Sequence, residues 1–490
     1  MKMSPKTLCT VVLAASILLI IAFGCTTQKV DKVPITTSSQ EARQLYLQAR
    51  DLQERLQVQE SRQYLQQAVE KDPNFAMAYL LMAPAQPTAK EFFQSLDKAT
   101  ALVENVSEGE RLWILGFEAG VNGFPMQQRE YYQKLVEAYP NDERAHNLLG
   151  IHYLGQQEWE GVVEECQKAT EINPNFSTPY NQLGYAYRFL ENYEASERAF
   201  QKYIQLIPDD SNPYDSYAEL LMKMGKFDES IAFYQKALEQ NPNFVASFTG
   251  IALNLNLKGD YGAAREKLQE LYNVARNDGE RRAALFAMAV SYTFEGKMVE
   301  ALGEIEKEYA IAQKNNDAAS LAADLNAMGN ILLEMGKADE ARTRFEEAIK
   351  TIEASDLADE VKANNRRFFL FNSAHAALKK GDLETAKAKA EEFRSVVEAA
   401  NAPLQIKLSH QLAGMIALEE KDYDTAVAEL QQAAFGFNPH NHYRLALAYK
   451  GQGNMESARE QFEKAANFNG LDGLAYAFIR TKAQQMLEKM

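Results

Sequence analysis

A period of 34 residues is the feature that most restricts how this chain can fold. Prolines recur at this interval, at Pro140, Pro174, Pro208 and Pro242. Small residues recur in a fixed phase to them, at Gly116, Gly150, Gly184, Ala218 and Ala252. A period of this length is typical of solenoids, whose units pack only against their neighbours. A chain of 490 residues therefore does not have to divide into several compact domains.

Each repeat contains two amphipathic segments. In residues 143–176 the first presents His146, Leu149, Gly150 and Tyr153, and the second presents Val162, Cys166 and Ala169. Spacings of three and four residues place these side chains on one face of each of two helices. The small residue at the eighth position leaves space where the two helices approach each other. The proline fits a turn or a first helical turn and not a helix interior, so it separates the units.

This arrangement resembles the tetratricopeptide repeat, whose pattern is W-x2-L-G-x2-Y, then A-x3-F-x2-A, then P. The resemblance implies an all-α fold, a right-handed superhelical solenoid of antiparallel helix pairs. It covers about residues 42–470, some twelve units.

The regularity of the period divides this region. The segments are 42–142 with N-terminal units, 143–281 with the regular period, 282–470 with longer repeat-like units, and 471–490, predicted to be a C-terminal capping helix. Residues 76–108 are predicted to be a degenerate unit, because Pro84 and Pro87 break its first helix early.

Residues 1–24 have the features of an export signal. Two lysines precede the low-polarity run 8–23, which is short for a membrane-spanning helix of about 20 residues. The run ends in the sequence AFGC at 22–25, which resembles the bacterial lipobox. The resemblance implies that Cys25 is lipidated and becomes the N-terminus. Thr26 at the next position implies the outer membrane, with the protein facing the periplasm.

Two alternatives to lipidation stay open from the sequence, an uncleaved anchor and ordinary cleavage. Residues 25–41 are polar and carry no helical periodicity. They are therefore predicted to be a tether between the lipid and the first helix.

The sequence contains little that suggests catalysis. It has no Walker A, zinc-protease, nucleophile-elbow or dinucleotide-binding motif. The one close histidine pair, His440 and His442, has no cysteine or third histidine near it, and Cys166 fits a small buried apolar residue. We therefore expect no catalytic residue, no cofactor and no metal. The net charge of −16 argues against nucleic acid as a partner.

The remaining function is binding, and the resemblance implies which surface binds a partner. In this family the first helices line a concave groove through fixed positions on one helical face. The residues at those positions that we predict to bind are Asn147, Ile151, Leu154, Asn181, Tyr185, Arg188, Phe189, Met222, Asn326 and Asn330. Asparagine can pair with the backbone of an extended peptide, and exposed apolar side chains indicate a partner surface. The alternative is that neighbouring repeats cover these side chains.

The sequence thus predicts a non-catalytic protein–protein interaction scaffold. It would be a lipid-anchored envelope protein that binds peptides or helical segments of other proteins in its groove. One alternative is a pilotin-like or secretion and assembly accessory lipoprotein. An alternative of another class is a solute-binding or enzymatic lipoprotein built on helical repeats. The pattern does not identify the partner, the pathway or the oligomeric state.

Overall fold

A computed structural model describes residues 32–55, 57–86, 89–433, 438–471 and 473–490. The predicted signal 1–24, the lipidation site Cys25 and Pro87 lie outside these ranges. Within them every regular element is helical and no strand is present. No helix in the same ranges is both long enough and apolar enough to cross a membrane.

Twenty-five α-helices follow one another in the described residues. Those of the first four pairs are α1 Gln40–Glu54, α2 Val58–Lys71, α3 Ala76–Met82, α4 Ala89–Ala101, α5 Glu108–Val121, α6 Pro125–Ala138, α7 Glu143–Gln156 and α8 Trp159–Ile172. The next four pairs are α9 Ser177–Phe189, α10 Tyr193–Leu206, α11 Ser211–Lys223, α12 Phe227–Gln240, α13 Val245–Lys258, α14 Tyr261–Val274, α15 Asp278–Glu295 and α16 Met298–Lys314. The last are α17 Ala318–Glu334, α18 Ala338–Glu353, α19 Asp359–Lys380, α20 Leu383–Ala399, α21 Pro403–Glu420, α22 Tyr423–Leu430, α23 Pro439–Gly451, α24 Met455–Ala466 and the single helix α25 Gly473–Glu488. Two short 3-10 turns, Ala83–Ala85 and Val103–Asn105, flank α4.

The helices α1 to α24 form twelve antiparallel pairs stacked in chain order, which confirms the predicted all-α solenoid. Each odd-numbered helix packs on the even-numbered helix that follows it and, in most units, on the odd-numbered helix of the next unit. Because the odd-numbered helices are packed against one another along the stack, they form the inner side of the curve. Their exposed faces therefore line the concave groove.

The fourth position of a unit ties it to the unit before. The phenol of Tyr180 donates to the carbonyl of Pro174 at 3.2 Å, and that of Tyr214 donates to the carbonyl of Pro208 at 2.9 Å. His146 makes the equivalent contact with the Pro140 carbonyl through Nε2 at 3.0 Å. A polar aromatic ring at this position thus forms a hydrogen bond with the carbonyl of the proline in the turn that ends the preceding unit.

Two units carry serine in place of the alanine of the A-x3-F pattern in the second helix. The hydroxyl of Ser196 donates to the carbonyl of Gly184 at 2.6 Å, and that of Ser230 donates to the carbonyl of Ala218 at 2.7 Å. Both serines are fully buried. The hydrogen bond satisfies the hydroxyl, so serine is tolerated at an otherwise apolar contact between the paired helices.

Part of the segment predicted to be a tether lies on the solenoid. Residues 32–39 precede α1 without regular secondary structure, and acidic side chains of three units bind them. The backbone N–H of Val33 donates to Asp142 at 2.7 Å, that of Thr36 to Glu110 at 2.7 Å, and that of Ser38 to Asp72 at 2.8 Å. Hydrogen bonds to carboxylates are among the stronger ones in proteins, so this stretch is held as part of the folded body.

Candidate functional site: the concave groove

Several of the residues predicted to line the groove are bound by the neighbouring unit. Gln182 donates to the side-chain oxygen of Asn147 at 2.9 Å. The phenol of Tyr185 donates to Glu219 at 3.1 Å, and Arg188 donates to the other oxygen of that carboxylate at 2.9 Å. The alternative that neighbouring repeats cover the groove residues therefore applies to Asn147, Tyr185 and Arg188.

A buried acid lies next to Glu219. Burial raises the pKa of Asp215 to about 8, with the Glu219 carboxylate adding to the effect. The Asp215 carboxyl accepts a hydrogen bond from Ser247 at 2.7 Å. These contacts join α9, α11 and α13 side to side. The protonated form of Asp215 is favoured because it avoids a second negative charge in a closed site.

An open stretch of the groove lies on α7 and α9. Ile151 is 45% exposed, although it is apolar, and Leu154 and Asn181 are half-buried. At the end of α9 the ring of Phe189 stacks on Trp159, with centroids 4.1 Å apart and planes inclined by 12°. The guanidinium of Arg188 lies over Phe189, 4.9 Å from the ring centroid.

The stacked rings line a cleft of about 470 Å³. One side of the cleft is formed by α8–α11 and the other by the helix pair α23–α24. The far wall includes His442, Lys464 and Phe468. Lys223 crosses the cleft and donates to the carbonyl of Phe468 at 2.7 Å. Burial lowers the pKa of Lys223 to about 8. The cleft therefore combines aromatic surface with both signs of charge, which suits a peptide more than a purely apolar ligand.

Helix α25 occupies the groove further along the chain. Its buried side chains Leu474, Tyr476, Phe478 and Ile479 join one apolar cluster with residues of α11, α13, α15 and α17. Tyr476 meets Phe294 of α15 edge to face, with centroids 5.9 Å apart. Arg480 donates to the carbonyl of Leu257 at 2.9 Å, near the C-terminal end of α13. This carbonyl lies in the last turn of the helix, where backbone acceptors lack intrahelical donors.

The position of α25 decides what the remaining predicted groove residues contact. Met222 is fully buried and belongs to the same apolar cluster as α25, so it is not part of an exposed surface. Asn326 accepts a hydrogen bond from Asn372 of the neighbouring unit at 3.1 Å. Asn330 is half-buried. The structure thus does not bring the predicted set together into one exposed surface.

Sequence reasoning missed two features of the groove. Trp159 begins a second helix, so the repeat positions did not select it, yet it forms the floor of the cleft with Phe189. Residues 471–490 were expected to be only a cap, whereas their helix also lies across the groove. A signal was present, because Tyr476, Phe478 and Ile479 lie on more than one side of a helix. A cap needs one apolar face, and a helix between two surfaces needs two.

The histidine pair near the C-terminus is divided between two sites. His440 lines a cavity with His375, whereas His442 lines the cleft described above and is hydrogen-bonded through Nδ1 to Gln461 at 2.8 Å. No group of three side chains suitable for a metal is found within the described ranges. Cys166 is fully buried, and burial raises the pKa of its thiol far above the usual value.

Comparison with known proteins identifies the repeats. Residues 177–210 and 439–469 match one family model of the tetratricopeptide repeat, and residues 218–244 match another. The first two segments correspond to the pairs α9–α10 and α23–α24. A search among proteins of curated function gives no match.

Two solved structures are similar to part of the chain. "Crystal structure of MamA" is 22% identical with a TM-score of 0.29, and the alignment covers 32% of this chain and 91% of that one. "Crystal structure of MamA protein" is 21% identical with a TM-score of 0.30, covering 35% of this chain and 97% of the other. The helical pairs, their period and the family-model matches together show that the chain contains tetratricopeptide repeats.

Proposed function

We propose that this protein is a non-catalytic scaffold that binds segments of other proteins in its concave groove. We propose further that a lipid on Cys25 holds it at the outer membrane, facing the periplasm. The repeats support the first part, because tetratricopeptide repeats generally mediate protein–protein interactions. The signal-like residues 1–24 and the motif at 22–25 support the second.

The placement of α25 is the observation that carries the proposal. A helix of this chain lies against the inner helices with Tyr476 fully buried and Phe478 and Ile479 nearly so. The groove thus accommodates a helix with apolar side chains where α25 lies, which supports the proposal that another stretch of the groove binds a helix of a partner protein. Such recognition depends on apolar side chains at helical spacing that fill sites between the inner helices.

The open stretch on α7 and α9 is where we place the partner. Ile151 offers exposed apolar surface, and the stacked rings of Trp159 and Phe189 offer an aromatic face. Large rigid rings are the side chains that most often dominate binding energy at protein interfaces. The partner segment is expected to present at least one large apolar residue to each of these two places.

Affinity purification with crosslinking from the native envelope tests the groove. The full-length protein is compared with Ile151→Asp and with Val299→Asp, which changes a side chain that is 69% exposed on the even-numbered helix α16. A charge at Ile151 must be desolvated on binding, so the partner set should fall at least about tenfold for that variant. Val299→Asp should keep it. Equal recovery of partners with Ile151→Asp would overturn the proposed site.

Cys25→Ala tests the anchor separately. The variant should leave the outer-membrane fraction, because the acyl chains supply the membrane affinity. Its helical content and its partners in detergent extracts should match those of the wild type. A variant that stays with the outer membrane would contradict lipid anchoring without affecting the groove proposal.

A further inference from the structure

A cavity of about 320 Å³ lies between α25 and the inner helices of the last units. Its walls come from α17, α19, α21, the start of α22 and α23, and α25 closes it with Ile479 and Lys482. The helix α25 therefore forms part of the cavity wall. It is separate from the open stretch on α7 and α9.

Arg444 of α23 places a positive charge on the wall of this cavity, as do Lys379 and Lys482. Within the described residues the guanidinium of Arg444 has one hydrogen bond, to the side-chain oxygen of Asn441 at 3.2 Å, and no carboxylate lies within ion-pair distance. Enclosure by the protein lowers the pKa of Arg444 to about 10. A guanidinium removed from water without an acidic partner is unfavourable, unless another anion takes that place.

Two imidazoles face the same space. The Nε2 atom of His375 is buried and has no hydrogen-bond partner in the described residues. Enclosure lowers the pKa of His375 to about 3 and that of His440 well below its usual value, and the Arg444 charge acts in the same direction on both. Both rings are therefore neutral near pH 7, and each can donate one N–H to a ligand.

The Glu334 carboxylate acts on Arg444 from beyond ion-pair distance and partly offsets the effect of burial on the pKa of Arg444, but no described carboxylate forms an ion pair with it. Glu334 is paired with Lys482 of α25. Glu419 and Lys379 are both exposed, so they lie at the rim. The remaining wall is apolar and is formed by Leu378, Met415, Leu418, Leu447 and Ile479. The interior thus combines two neutral donors and an apolar surface with a cation that has no ion pair in the part of the chain that the structure describes.

We propose that this cavity binds a small organic anion, a carboxylate or a phosphate ester with an apolar body. Arg444 takes the anionic group in a bidentate contact, His375 and His440 donate to it, and the apolar body packs on the leucine and methionine wall. The volume is close to the lower limit of small-molecule sites, about 300 Å³, and too small for a peptide helix about 10 Å across. The proposal does not depend on a protein partner.

Calorimetric titration of the full-length protein tests the proposal with three probes of similar size. Benzoate represents the carboxylates, phenyl phosphate represents the phosphate esters, and benzylamine supplies the same ring with the opposite charge. We expect saturable binding of one or both anions at one site per chain and no binding of the amine. The anion that binds more tightly shows whether the natural ligand is a carboxylate or a phosphate ester. The absence of binding by both anions would overturn the proposal.

Arg444→Gln locates the site, and Arg459→Gln on the exposed face of α24 is the matched control. The first change should weaken anion binding at least about tenfold, because a charge-assisted contact is lost, and the second should not change it. Unchanged affinity in a folded Arg444→Gln protein would refute the assignment.

A measurement on the wild type covers the case in which Arg444→Gln does not fold. The chain has only six histidines, so selective histidine labelling gives a simple NMR spectrum. Addition of the anion should shift the signals of His375 and His440, and those of His146 and His152 on α7 should stay in place. Binding without a shift of the two cavity histidines would place the anion elsewhere and would refute the proposal.

Discussion

At the scale of single residues, the small eighth position of each unit is explained by one neighbour. A side-chain carbon built at Gly116, Gly184 or Gly329 would overlap the aromatic ring that lies sixteen residues later, at Tyr132, Phe200 or Phe345. The contact is closer than the 3.0 Å that real Cβ atoms keep. The ring fills the space that the glycine leaves open, so the two positions act as one packing unit.

We expect Gly184→Val to destabilise the protein by about 1–3 kcal/mol, because Phe200 must leave its packed position. Gly303→Ala on α16 is the matched control, since a Cβ there has nothing within 4 Å. Alanine lowers the entropy of the unfolded chain and should raise stability by about 0.5–1 kcal/mol. Denaturant unfolding of both variants measures the difference. A loss of similar size in both would contradict this account of the eighth position.

This level of detail was largely available from the sequence, since the period places each glycine and each ring. The contacts of Tyr185 and Arg188 with Glu219 of the next unit could not be predicted from the sequence. All three lie at positions that face the groove, and the pattern cannot tell whether such a side chain points to solvent or turns to the next helix. That choice depends on rotamers and on the distance between units, neither of which a one-dimensional period encodes.

At the scale of elements, α25 is the helix whose role depends most on tertiary contacts. Its predicted range, 471–490, agrees closely with Gly473–Glu488. Its contact with α15 was not predicted, because that helix lies almost 200 residues earlier in the chain. Repeat patterns describe contacts between neighbours, so they carry no signal for this one.

Phe478→Asp should release α25 from the groove. Burial of a phenylalanine side chain contributes about 1.5–3 kcal/mol, so its loss should increase local opening by about ten- to a hundredfold. Hydrogen exchange read by mass spectrometry should then show faster exchange in α25 while α1–α10 keep their rates. Gln485→Asp changes an exposed residue of the same helix and should leave the exchange unchanged. Equal protection of α25 in both variants would show that Phe478 does not hold it.

At the scale of the whole molecule, the solenoid curves until distant units meet. The end of α1 contacts later units, because Glu54 pairs with Arg144 at 2.7 Å and its carbonyl accepts from Thr178 at 2.8 Å. The side chain of Gln57 donates to Asp210 at 2.7 Å. A strictly local array has no such contacts, so this chain joins repeat architecture with closure over long sequence distances.

Deletion of the unit 177–210 separates the local contacts from the distant ones. Helicity per residue should be retained, because the remaining pairs still have neighbours to pack against. The melting temperature should fall, since Thr178 and Asp210 no longer hold the end of α1. Hydrogen exchange in α25 should not change, because α11–α17 remain intact. Circular dichroism and exchange measure these three outcomes, and a loss of all helicity would refute the repeat assignment.

Because α25 is covalently joined to the solenoid, a helix of another protein needs a minimum affinity to displace it from the groove. A segment joined by a short connection is present at its site at an effective concentration on the order of millimolar. A helix from another protein at about micromolar concentration would have to bind the α11–α17 face roughly a thousandfold more tightly than free α25 does to occupy half of the molecules. Weak and abundant apolar helices are thereby excluded, and this face is reserved for competitors of high affinity.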